Sequence, residues 1–187
     1  MRRSTIIGLA AAAMLTLAAC GSGETTSSSA TTSTSTAPTA AASSDAPQGE
    51  AEAVSVPKQL QFTSKTTAGA TFEGASLAGK PAVVWFWAPW CHICKGEAPR
   101  VRDAAKSSGV SFLGVAALDD VEPMKGFVEE FDLDFPNLAD TKAAVWARFG
   151  VTSQPSYAFI SADGDVDVVA GALSASELDS RIAKIAG

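Results

Sequence analysis

From Pro81 to Trp87 the chain reads Pro-Ala-Val-Val-Trp-Phe-Trp, a run with no charged or hydrogen-bonding aliphatic side chain in it. An apolar run without alternation suits a strand buried on both faces, and such a strand needs helices above and below its sheet. The run leads into Cys91-His-Ile-Cys94, where a helix is expected to begin and continue to about Ser107, with Gly109 suited to its C-terminal end. Pro99 falls inside that helix, where it removes one hydrogen bond and is expected to kink the axis. Val110 to Ala117 then reads as a second, parallel strand, and strand–helix–strand gives a right-handed crossover.

The flanking segments extend the same plan. Two short β segments are expected at Leu60–Thr63 and Thr71–Glu73, with Gly69 between them. Beyond the crossover, Asp119 or Asp120 can cap a helix on which Val121, Met124, Val128 and Phe131 recur at helical spacing. Another helix is expected over about Thr141 to Phe149, ending at Gly150. Strands over Ser156–Ile160 and Val166–Ala170 follow, joined by an Asp163-Gly164 turn. Ser174 and Glu177 form a capping box for a last helix. The expected class is α/β, a thioredoxin-like mixed sheet with helices on both faces.

The first third of the chain differs in kind. Arg2 and Arg3 precede an apolar stretch from Ile6 to Leu17, too short to cross a hydrocarbon core of roughly 30 Å. Leu17-Ala18-Ala19-Cys20 resembles a bacterial lipobox, which makes residues 1–19 a lipoprotein signal peptide and Cys20 the lipidated N-terminus of the mature chain. Residues 20–55 are rich in Ser, Thr and Ala and offer little to bury, so they are expected to form a disordered tether with a mean span of roughly 30–35 Å. Residues 56–187 carry nearly all the bulky aromatics and are expected to be the working domain. The net charge of −6 leaves no basic footprint of nucleic-acid binding.

The three cysteines divide cleanly. With Cys20 assigned to lipid, Cys91 and Cys94 remain as a single C-x-x-C in an exported chain. A structural zinc site wants four ligands, and the pair is supplemented only by His92, which lies between the two thiols. A c-type haem site wants histidine directly after the second cysteine, where Lys95 stands. A disulfide spanning so short a loop restrains little of the unfolded chain, so an inert staple gains little. A redox pair suits the position. At a helix N-terminus the free amides and the dipole stabilise a Cys91 thiolate, the form that attacks disulfides, and Cys94 one turn on can resolve the product. No metal and no cofactor are expected.

The stretch Val84-Trp-Phe-Trp-Ala-Pro-Trp-Cys-His-Ile-Cys-Lys-Gly-Glu-Ala-Pro99 resembles the TlpA/ResA/DsbE-like branch of the thioredoxin superfamily. So does Phe149-Gly-Val-Thr-Ser-Gln-Pro-Ser-Tyr-Ala-Phe-Ile160 with the Asp163-Gly164 turn after it. The nearest likeness is to the secreted and lipid-anchored DsbE/DsbF-like proteins of mycobacteria. The resemblance implies that Pro155 is a cis-proline lying against the disulfide and that the Gln154 backbone can pair with an extended substrate peptide. It implies that Glu97 is a partly buried carboxylate that shuttles the proton of Cys94. It also places Trp90 in a docking surface. Trp85 stands where thioredoxin itself carries a buried aspartate, which moves proton transfer to Glu97. His92 can stabilise a thiolate when protonated, although in the strong oxidants of the superfamily the histidine directly precedes the second cysteine, where this chain has Ile93.

The resulting expectation is an extracytoplasmic thiol–disulfide oxidoreductase, lipid-anchored to the outer face of the cell membrane. It would promote disulfide formation in exported proteins and exchange electrons with a membrane redox partner. The alternative direction is a reductase of the cytochrome c maturation type; Ser156, where that group often has Glu, favours the first. A copper-delivery protein would want a wider cysteine spacing and a distal histidine, and no histidine follows His92. A non-catalytic surface lipoprotein would carry an inert disulfide.

Overall fold

The computed structural model describes residues 55–187; the expected signal peptide, Cys20 and nearly all of the expected tether lie outside them. A 3-10 turn at Lys58–Leu60 precedes an antiparallel hairpin of β1 (Thr63–Lys65) and β2 (Thr71–Glu73). The strand expected at Leu60–Thr63 is therefore displaced. Pro57 begins a turn, its carbonyl accepting the Leu60 amide at 2.9 Å, and Leu60 is a fully buried anchor rather than a pairing residue. The chain continues through β3 (Ala82–Trp87), α1 (His92–Ser107), β4 (Ser111–Ala116), α2 (Val121–Glu130) and β5 (Asn137–Ala139). It closes with α3 (Ala144–Arg148), β6 (Ser156–Ile160), β7 (Val166–Ala170) and α4 (Ala175–Ala186).

The strands β3 to β7 form one sheet in the order β5-β4-β3-β6-β7. The central strand β3 runs parallel to β4 and antiparallel to β6, and every residue of it is buried. Its alternate side chains serve two cores. Val83, Trp85 and Trp87 meet α1, α2 and α4 through Ala98, Val101, Phe127, Leu178 and Ile182. Ala82, Val84 and Phe86 meet Leu60, Leu77 and α3 on the opposite face. Both crossovers β3-α1-β4 and β4-α2-β5 advance the sheet in one direction, which puts both helices on one face.

Two indoles on one face are accommodated by a gap opposite. Gly114 pairs with Trp85, and a Cβ there would collide with the Asn137 carboxamide and the Trp87 indole. Asn137 is buried and accepts the Trp87 Nε1–H at 3.3 Å. The outer edge of β5 is joined by the hairpin through a Thr66–Leu138 bridge and a 2.8 Å bond from the Thr67 amide to the Asn137 carbonyl.

Three local expectations change. The strand β5 was not anticipated. Asp120 precedes α2 but its carboxylate makes no cap bond; the Asp119 carboxylate instead accepts the Asp120 amide. The helix expected from Thr141 starts at Ala144, because the buried Asp140 carboxylate takes the amides of Ala144, Val145 and Trp146 at 2.8–3.0 Å and fixes the first turn there. The Ser174–Glu177 capping box is present at the start of α4. At the far end of β6, the β6–β7 turn brings Gly164 beside Pro57, whose ring lies 3.1 Å from where a Cβ would stand.

Candidate active site

The site lies where β3 ends and α1 begins. Cys91 occupies the N-cap of α1 in extended backbone, and it is disulfide-bonded to Cys94 with their Cα atoms 5.2 Å apart. The Cys91 Sγ accepts the Cys94 amide at 3.0 Å, the bond an N-cap oxygen would ordinarily make. A sulfur so placed faces the free amides and the positive end of the helix dipole, which favour its thiolate. The two cysteines are unequally buried. Cys91 is 6% exposed and Cys94 is fully buried.

Around the pair the sequence-expected residues fall as follows. His92 and Ile93 are exposed on the first turn of α1. Trp90 is 56% exposed, its Nε1–H donating to the Leu118 carbonyl at 3.0 Å. That bond fixes the indole as one wall of a shallow groove of about 420 Å³, whose other lining includes Pro89, Lys95, Asp119, Pro123 and Phe127. Ile93, Leu118 and Val121 are also exposed, and Trp90 and Ile93, which flank Cys91 in the chain, give the pair an apolar rim. The Gln154–Pro155 peptide is cis, Pro155 is buried, and Gln154 is half-buried. The Pro155 carbonyl accepts the Gly171 amide, and Ser156 Oγ donates to the Ser153 carbonyl at 2.7 Å.

Glu97 is fully buried, on the face of α1 that carries Cys94, Ala98 and Val101. One carboxylate oxygen accepts the Leu173 amide at 2.8 Å. Burial pushes its pKa above the ordinary glutamate value; the Leu173 amide, the Tyr157 hydroxyl, the Arg100 charge and the Trp85 indole pull the other way. Sequence reasoning placed Trp85 in the core and gave Tyr157 no role. The only available signal was their shared phase on β3 and β6, which is read only once the strands are paired. Among the described residues no cluster of three or more His, Cys, Asp or Glu side chains is arranged to hold a metal.

A disulfide at a helix N-cap, with one cysteine slightly exposed and the other fully buried, is equipped for thiol–disulfide exchange. The chain matches the AhpC/TSA family over residues 56–169. It is 45% identical to the soluble secreted antigen MPT53 of Mycobacterium tuberculosis over 137 residues, 71% of this chain and 79% of that one. The structure of MTB dsbF, in its mixed oxidized and reduced forms, superposes with a TM-score of 0.69 and 53% identity over 70% of this chain and 99% of the other. The thiol–disulfide oxidoreductase ResA of Oceanobacillus iheyensis is 32% identical over 133 residues, 68% of this chain and 69% of its own.

The chain belongs to the ResA-like thiol–disulfide oxidoreductases of the thioredoxin superfamily.

As a ResA-like oxidoreductase it has the thioredoxin-like sheet, a C-x-x-C pair in disulfide linkage, and dithiol–disulfide exchange as its chemistry. Within that ResA-like frame, the chain has Ser156 directly after the cis peptide, with its hydroxyl turned back to its own loop.

Proposed function

We propose that this oxidoreductase introduces disulfides into exported proteins, with Cys91 as the exchanging sulfur, Cys94 as the resolving one and Glu97 as the proton donor to Cys94. The observation that carries the reading is the asymmetry of the disulfide. A client thiolate can reach only Cys91. Its attack forms a client–Cys91 mixed disulfide and releases Cys94 as a thiolate in a buried place, where a charge is costly. The Glu97 carboxylic acid gives that thiolate its proton and becomes carboxylate. A second client thiolate then attacks the client's own sulfur in the mixed disulfide, leaving a client disulfide and a Cys91 thiolate. The client loses two electrons and the enzyme pair gains them; a membrane redox partner of the enzyme must take them back.

The apolar rim of Trp90 and Ile93 suits an unfolded client, and the Gln154 backbone before the cis peptide suits an extended segment laid beside the disulfide. His92 stands at the same rim, exposed. The location is read as extracytoplasmic, supported by the secretion signature of residues 1–19 and by the relative named as a secreted antigen. Cys20 is the proposed attachment to lipid at the outer face of the membrane, with residues 20–55 as tether and residues 56–187 as the catalytic domain. The helix N-terminus favours the reduced, thiolate form and makes the couple more oxidising, whereas a neighbouring Glu97 carboxylate opposes it. These effects oppose each other, and the expected potential is intermediate, on the order of −250 to −120 mV. The test is the reduction potential of the mature chain together with oxidation of a reduced, unfolded client. A couple at or below about −270 mV that reduces client disulfides would reverse the direction.

A further inference from the structure

Among the described residues, four buried polar side-chain atoms lack a hydrogen-bond partner: Glu97 Oε2, Tyr157 Oη, Trp85 Nε1 and Arg100 Nε. Buried orphans are rare in folded proteins and each is costly, so four that share one neighbourhood call for a common cause. Their convergence is built into the fold. Trp85 and Tyr157 are directly paired across β3 and β6, so their side chains project from the same face. That face is the one α1 covers with Cys94 and Ala98. The first oxygen of Glu97 is held by the Leu173 amide, and the second is buried without a partner, as are the indole N–H and the phenol hydroxyl on the sheet face that α1 covers.

We propose that Tyr157 is a positioning residue for Glu97: its hydroxyl, with the Trp85 indole N–H, is the donor set that holds the second carboxylate oxygen whenever Glu97 is charged. Both groups can donate, and the indole can do nothing else. A neutral Glu97 has less need of these donors, and in the structure neither the phenol nor the indole N–H has a hydrogen-bond partner. An ionised Glu97 draws both. Burial favours the neutral acid and the donors favour the carboxylate, so the group can surrender a proton to Cys94 and later recover it. The charged and titratable groups facing Glu97 are few. Tyr157 comes from β6, Arg100 and the reduced Cys94 from its own helix, while β3 offers only the neutral indole and the segment before α4 only the Leu173 amide. Burial and the nearby Glu97 charge both raise the Tyr157 pKa, so the phenol keeps its proton and remains a donor throughout.

The inference uses the proton-donor reading of Glu97 for its kinetic consequence alone, so it is tested on the carboxyl itself. In the mature oxidised protein the Glu97 carboxyl carbon is followed by NMR against pH, its signal assigned by its loss in Glu97→Gln. Tyr157→Phe, which keeps the ring and removes the hydroxyl, is expected to raise the midpoint by about one pH unit, and Trp85→Phe to raise it less. Tyr157 is the chain's single tyrosine, so 3-fluorotyrosine labels it alone and tests the wild-type sequence without any substitution. Its fluorine resonance is expected to shift with the Glu97 midpoint and to lose that step in Glu97→Gln. An unchanged Glu97 midpoint in Tyr157→Phe, or a fluorine signal indifferent to Glu97, would overturn the proposal. A coupled Tyr157 and Glu97 beside unaltered exchange rates in Glu97→Gln would instead remove the proton-donor role and leave the donor set standing.

Discussion

A single helical turn separates a cysteine with slight exposure from one with none, and the roles proposed for them follow from that difference. Cys94→Ser leaves a lone Cys91 thiolate that can attack a client disulfide but has no neighbouring thiol to displace the client again, so it is expected to accumulate mixed disulfides, visible as thiol-sensitive adducts on non-reducing gels. Cys91→Ser is expected to trap almost none; equal trapping would exchange the assignment. Glu97→Gln keeps the shape and the acceptor for the Leu173 amide while removing the proton. Exchange is expected to slow about 10²-fold or more, with loss of the pH step belonging to the carboxyl. The same residue marks stability. Its folded pKa is raised, so the native state binds more protons than the unfolded chain between the ordinary glutamate value and the folded one. Wild-type stability should therefore fall as pH rises through that window, and Glu97→Gln should flatten the fall in denaturant titrations. The Cys91–Cys94 pair was legible because its spacing is local, and the buried position of Glu97 on the same helix was pointed to by the resemblance of that stretch. Tyr157 was not, since its relation to Glu97 exists only through the pairing of two strands far apart in the chain.

At the scale of elements, periodicity found what is long and failed where one side chain sets a boundary. The continuous run of β3 and the spacing along α1, α2 and α4 announced themselves. The three-residue β5 carries too few positions to show alternation, and Pro136 just before it reads as a breaker. At α3 the periodic pattern begins too early, because nothing in periodicity reveals that Asp140 folds back to collect three amides. Removing that carboxylate should be costly. Asp140→Ala is expected to destabilise the protein by about 1–3 kcal/mol in chemical denaturation, with the exchange chemistry of the folded fraction unchanged. Asp140→Asn should recover part of the loss, since its one oxygen can still accept from the first turn. A loss below about 0.5 kcal/mol for the alanine variant would mean that α3 is held by packing of Val145 and Trp146 alone.

For the whole molecule, the apolar run of β3 implied a sheet covered on both sides, and the two cores are arranged so. Composition separated the aromatic-rich domain from what precedes it. The attachment proposed at Cys20 is tested by fatty-acid labelling in cells: Cys20→Ala is expected to lose the label and to remain as precursor or pass into the medium. Retained label would place the lipid elsewhere.

The seating of Pro57 beside Gly164 has a bearing on such an attachment. β6 starts just after the cis peptide, beside the end of β3 that leads into Cys91, and ends at the turn holding Gly164, so about 17 Å of strand lies between them. The described chain therefore enters the domain at the pole opposite the disulfide. Were the chain held through Cys20 as proposed, the tether would join the domain at the pole away from Cys91. Anchorage and exchange would then use different faces of the domain, and the proposed client-binding face would stay open.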